Sequence, residues 1–222
     1  MKAKQKAEFD TLVEIQWFLD DNADQLGGLH ETRSRTELGR LIEELEADRV
    51  KQEVAGQECR RRTAERNVLR EKLRTEHLRP IAAIARMDLE NKPLSLALAC
   101  PRARVSDEVL LVHAQVVADA AAEYRQVFLA HTLPDDFVDR LRAVTAGIRA
   151  TLKLRTGSRL QQSYATARIA LNLSCARRAV STIDALVARR LAGNPGLLQT
   201  WYATARRRAP RRIERLVLKK AA

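Results

Sequence analysis

Eight basic side chains, Arg206, Arg207, Arg208, Arg211, Arg212, Arg215, Lys219 and Lys220, crowd into residues 206–222 against a single acid, Glu214. Uncompensated cationic charge at that density displaces condensed counterions from an anionic polymer such as a nucleic acid backbone. An anionic lipid surface attracts it for the same reason, and a solubilising tail has the same composition. Further cations extend the pattern upstream. Arg149, Lys153 and Arg178 fall, together with Arg142 and Arg189, within about 40° of one another on a wheel of 100° per residue. A single helix through them carries one basic face.

The acids are distributed differently. Residues 1–30 hold 3 basic and 6 acidic residues, residues 31–79 hold 13 and 11, residues 80–135 hold 5 and 7, and residues 136–222 hold 19 and 4. The net charge of +12 therefore resides in the last segment, which attracts anions and repels copies of itself. Arg outnumbers Lys by 31 to 9. Guanidinium groups grip phosphate or carboxylate bidentately, although a GC-rich genome produces the same ratio. Genome bias does not explain why acids nearly vanish after Asp139.

Other chemistry-bearing residues lack a productive spacing. His30, His77, His113 and His131 do not occur in Glu-x-x-His or His-Glu-x-x-His, and no Gly-x-Ser-x-Gly, Walker loop or Gly-x-Gly-x-x-Gly is present. His113 reads as a core histidine bonded to a neighbour. Cys59, Cys100 and Cys175 are odd in number and far apart, so they signal neither a disulfide framework nor a zinc knuckle. Glu43, Glu44, Glu46 and Asp48 read as a solvated face paired with Arg49 and Lys51. The Arg60-Arg61-Arg62 run reads as neutralised by Glu58 and Glu65. No catalytic residue, metal ligand or cofactor is expected. Tyr164, Trp201 and Tyr202 are the only aromatics near the basic residues, so nucleic acid contact would be to phosphate rather than to bases.

The elements that must carry these residues are helices. The chain is 222 residues long with 45% hydrophobic but only 4% aromatic residues, and its eight Gly and six Pro leave long stretches free of breakers. A first helix is expected from about residue 3 to 26, with Phe9, Leu12, Val13, Ile15, Trp17 and Phe18 on its apolar face and Gly27-Gly28 as its stop. A second runs from a Ser34 cap, with Glu37 at capping-box spacing, to about residue 79, where Pro80 ends or kinks it. Its apolar stripe thins to Val50, Val54, Ala55, Cys59 and Ala64. Residues 91–105 suggest a buried loop or short helix. Ser106 caps the next helix, to about residue 131, which is apolar nearly all round and so expected at the centre of the core. After the 133–136 turn a very long helix reaches about residue 191. Gly157 marks a potential kink in it, and Ile169, Leu173, Ala176, Val180, Ile183 and Val187 step by 4, 3, 4, 3, 4 like a coiled-coil seam. A short helix bearing Leu197, Leu198, Trp201 and Tyr202 follows.

The fold expected is all-α: an elongated bundle of four to five helices, with two very long helices forming a coiled-coil-like arm over about residues 34–79. It is read as one domain, 1–205, with a core of residues 106–150, 169–202 and the first helix, followed by a basic tail, 206–222. Acids interrupt the N-terminal apolar residues, and the longest uncharged run, 191–205, is too short and too broken to span a bilayer, so a cytoplasmic location is expected. Two functions fit. One is a non-catalytic protein that binds a polyanion, most simply nucleic acid backbone, through residues 206–222 with Arg149, Lys153 and Arg178. The other is a structural protein that forms homo-oligomers through its long helices.

Overall fold

The computed structural model describes residues 1–89 and 92–205, and among them every regular element is helical. In chain order these are α1 (Ala3–Asp21), α2 (Ala23–Leu26), a short 3₁₀ turn (Leu29–Glu31), α3 (Arg33–Lys72), a π-helical segment (Leu73–Leu78), α4 (Arg79–Asp88), α5 (Lys92–Ala97), α6 (Asp107–Glu123), α7 (Arg125–Ala130), α8 (Phe137–Arg190) and α9 (Pro195–Ala205). The two very long helices are present: α3 has 40 residues and α8 has 54. Helix α8 continues through Gly157 without interruption.

Where one bundle core was expected, the buried side chains form two clusters, and the chain divides into two compact units. Among the described residues, unit 1 comprises residues 1–55 and 160–205, and unit 2 comprises residues 56–89 and 92–159. Helices α3 and α8 each contribute a length to both.

In unit 1, Phe9, Leu12, Ile15, Phe18 and Leu19 of α1 meet Leu38, Leu41 and Leu45 of α3. Ile169, Leu173, Ala176, Ile183 and Val187 of α8 complete the cluster with Trp201 of α9. Trp201 is fully buried, its ring centroid 5.3 Å from that of Phe18, and its indole N–H donates to Asp184 Oδ1 at 2.7 Å. A large apolar ring is thus buried without stranding its one donor. The expected seam on α8 exists, but α1, α3 and α9 fill it from within the chain. Trp17 is 63% exposed rather than part of the apolar face.

In unit 2, Leu73, Leu78, Ile81 and Ala85 gather around Leu110, Ala114 and Val117 of α6, Phe128 of α7 and Phe137, Leu141 and Ile148 of α8. The Phe128 and Phe137 rings lie 5.5 Å apart. Ser106 caps α6 as expected, its Oγ accepting from the Val109 N–H at 3.3 Å. The helix breaks at Tyr124, however, and it is not central. Leu110, Leu111, Ala114, Val117, Ala118 and Ala121 are buried, while Val109, Val112 and Val116 are exposed. Composition alone cannot tell which side of an all-apolar helix is covered.

Two further local expectations are corrected. The residue before α3 that engages its first turn is Thr32, whose Oγ1 accepts from the Arg35 N–H at 3.4 Å, so Ser34 is helical instead of a cap. Of the two outcomes expected of Pro80, an end and a kink, the end is not found: α4 follows directly on the π segment, with the proline in its first turn. Proline lacks an N–H and its ring crowds the carbonyl four residues back. The wider π turn, with its i to i+5 bonding, lies where that conflict arises.

Three arginines of unit 2 hold the 99–106 connection in place. Arg74, only 6% exposed, donates to Pro101 O at 2.6 Å and Arg102 O at 3.0 Å. Arg70 reaches Ala103 O at 3.0 Å and also bonds Val105 O. Arg66 and Arg70 both grip the carboxylate of Asp107, at 2.7 and 2.6 Å. Burial raises the Asp107 pKa, but the two guanidinium groups outweigh it and hold the carboxyl below its ordinary value.

Candidate polyanion interface

A cation on a helix is free for a ligand only if no acid on its own helix or on a neighbour takes it. Arg149 and Lys153 lie on α8 in unit 2, four residues or about 6 Å of rise apart. Both are exposed and neither forms an ion pair among the described residues. Arg178 lies on α8 in unit 1, also exposed, and the one polar contact of its side chain among the described residues is a weak one from Nη2 to Cys175 Sγ at 3.7 Å. Of the companions on the same wheel, Arg142 is engaged by Asp119 at 3.1 Å, whereas Arg189 is exposed and unpaired among the described residues. Arg149 and Lys153 are thus brought together, and Arg178 belongs to the other unit. The cluster Arg206, Arg207, Arg208, Arg211, Arg212, Arg215, Lys219 and Lys220 lies outside the described residues.

Sequence inspection undercounted the free cations. Arg61 and Arg62 are neutralised as expected, with Glu58 2.8 Å from both and Glu65 2.9 Å from Arg62. The hydrogen bond from Arg61, then that from Arg62, holds the Glu58 carboxyl down to about 2. Arg60, by contrast, forms no ion pair among the described residues, and neither do the exposed Arg102, Arg104 and Arg159. A local signal identifies two of these. Arg60, Arg149, Lys153, Arg159 and Arg178 have no acid three or four residues away in either direction, the distances at which a helix places a partner. Arg40, Arg49, Arg61 and Arg62 each have one, and each is paired.

The acidic run of α3 is only partly the solvated face expected. Glu46 pairs with Arg49, its Oε2 accepting from Nε at 3.0 Å. Asp48 is 1% exposed and meets Arg168 of α8 at 3.0 Å, while Glu44 accepts from Asn172 at 3.2 Å. Asp48 raises the pKa of Arg168 and so fixes its charge. These contacts set an antiparallel register between α3 and α8 inside unit 1. Asp48 was missed because its partner lies far along the chain. His113 is half-buried; burial lowers its pKa, a hydrogen bond to the Ala99 backbone opposes this, and its Nε2 has no partner among the described residues.

No described helix is long and apolar enough to cross a membrane, and no group of three or more His, Cys, Asp or Glu among the described residues has the arrangement of a metal site. No family model, curated protein or solved structure matches this chain.

Proposed function

We propose that the chain is a non-catalytic binding protein for a polyanion, nucleic acid backbone in the first instance. One observation carries the reading: Arg149, Lys153 and Arg178 are exposed cations with no ion-pair partner among the described residues, on the helix that leads toward the basic residues 206–222. Cations already satisfied by carboxylates have little to gain from phosphate, whereas free ones release counterions on binding. The scarcity of aromatic side chains near them favours phosphate contact over base readout.

Filter or anisotropy titration of a random-sequence DNA duplex across salt tests this. The expected result is weak sequence preference and a log–log salt slope of about 0.9 for each phosphate neutralised. Ending the chain after Ala205, which removes eight cations and one acid, is expected to weaken binding and flatten the slope. Replacing Arg149, Lys153 and Arg178 by Gln weakens it further. Absence of binding at low salt eliminates the reading.

A groove in unit 1 favours a second reading, assembly with copies of the chain. Val50 and Val54 of α3 and Tyr164 of α8 are 50%, 59% and 67% exposed, and they line an open groove of about 360 Å³. The seam on α8 from Ile169 to Val187 is buried and has no part in this. Light scattering at tens of micromolar that gives a monomer mass removes the second reading.

A further inference from the structure

We propose that a cavity in unit 2 binds a small amphiphilic carboxylate, an anionic head on a short apolar body. The cavity has a volume of about 320 Å³, and Lys72, Glu76, His77, Leu133, Phe137, Arg140 and Val144 are among the residues that line it. That volume is at the lower end of the ~300–1,000 Å³ of small-molecule sites, which limits the occupant to a short chain or a single ring. Leu133, Phe137 and Val144 offer that body an apolar wall.

The polar groups select the head. Arg140 spends only Nε on Asp136, at 2.8 Å, so its two terminal nitrogens make no ion pair among the described residues. Those nitrogens form the fork that takes a carboxylate bidentately. Lys72 is 3.9 Å from Glu76, an ion pair too long for a hydrogen bond. Both cations are about half-exposed, with side-chain exposures of 58% for Arg140 and 47% for Lys72. They therefore mark the mouth.

His77 is the second, independent sign of a ligand. It is 9% exposed and its Nε2 has no hydrogen-bond partner among the described residues. A buried polar atom left unpaired is unfavourable, and a small rotation of the ring that brings Nε2 to a ligand oxygen in the cavity would relieve it. Burial lowers its pKa and the charges of Lys72 and Arg140 lower it further, against Glu76. The imidazole is therefore neutral at pH 7, able to donate from one nitrogen and accept at the other. It sits in the π-helical segment Leu73–Leu78, a geometry that is rare and frequent at functional sites. This inference goes beyond the polyanion reading, which other residues carry.

The test uses the full chain with hexanoate and benzoate as probes, and hexan-1-ol and benzyl alcohol as their neutral counterparts. Calorimetry is expected to show saturable binding of an acid and affinity at least about tenfold weaker for its alcohol. The His77 ring signals in NMR are expected to move as the acid is added. Arg140→Gln, at an exposed position outside the core, is expected to weaken the acid about tenfold and leave the alcohol unchanged, and Lys72→Gln to act in the same direction. Any of three results overturns the proposal: no saturable binding of either acid up to about 10 mM, equal affinity for acid and alcohol, or His77 signals that stay fixed while the acid binds.

Discussion

Among the described residues, the two units differ in how far their acids match their cations. Residues 1–55 and 160–205 of unit 1 contain 13 basic and 14 acidic residues, whereas residues 56–89 and 92–159 of unit 2 contain 19 and 12. In unit 1 most arginines are engaged: Arg35 with Asp20, Arg40 with Glu37 and Glu44, Arg49 with Glu46, Arg168 with Asp48 and Arg177 with Glu8. In unit 2, three arginines are committed to the 99–106 connection, and Arg60, Arg102, Arg104, Arg149, Lys153 and Arg159 form no ion pair among the described residues. A net charge of +12 thus describes neither unit. The described residues of one are nearly neutral and those of the other are cationic. Proportion matters as well as number: where acids run short, the surplus cations remain available.

Removing the indole at the centre of unit 1 strikes the balanced side of this contrast hardest. Trp201→Ala is expected to cost about 3–5 kcal/mol, read by urea unfolding, with hydrogen exchange accelerated at Leu41 and Leu45. Equal acceleration at Leu110 and Val117 would break the division into two units. The next effect falls on unit 2. Asp107→Ala leaves Arg66 and Arg70 without their carboxylate, and a loss of about 2 kcal/mol is expected, seen in the same assay. Its pH dependence has a definite sign. Because the folded Asp107 pKa is lowered from 3.8, its contribution is complete above that value and disappears as pH falls through the folded pKa.

A smaller change tests whether the middle of α8 is closely surrounded. A methyl group built at Gly157 meets nothing within 4 Å. Gly157→Ala is therefore expected to stabilise by about 0.4–1 kcal/mol through helix propensity and a less flexible unfolded chain, raising Tm. A fall in Tm would show that the position is occupied. The smallest effect sharpens the rule for which cations are free. Side-chain carbon NMR should place the Glu58 titration near 2, and Arg61→Ala should move it toward 4.5. A midpoint unmoved by that change would show that local pairing does not neutralise the Arg60-Arg61-Arg62 run.

Much of the fold was legible because helices are local. The absence of breakers announced α3 and α8, Ser106 declared its cap, and the turn before Phe137 ended where expected. What failed depended on residues distant in the chain. Val109, Val112 and Val116 are as apolar as Leu110 and Val117, and only neighbouring helices decide which of them is covered. Asp48 looked like surface charge until Arg168 was placed beside it. The exposed, unpaired cations were half legible: Arg149, Lys153 and Arg178 followed from the helical wheel, while Arg60 and Arg159 needed the further question of whether an acid lies one turn away.

The π segment ahead of Pro80 has a genetic consequence. A π turn amounts to one residue more than the α-helix it interrupts. An in-frame deletion of a single codon within residues 73–78 would let that stretch relax to an ordinary helix while α4 keeps its phase, whereas the same deletion within α3 would turn every later side chain by about 100°. Ile81, Ile84 and Ala85, buried now, would stay with their cluster in the first case and leave it together in the second. The six-residue segment is therefore a place where the chain can lose one residue of length and keep its helical phase, while the buried Leu73 and Leu78 restrict which side chains it can carry.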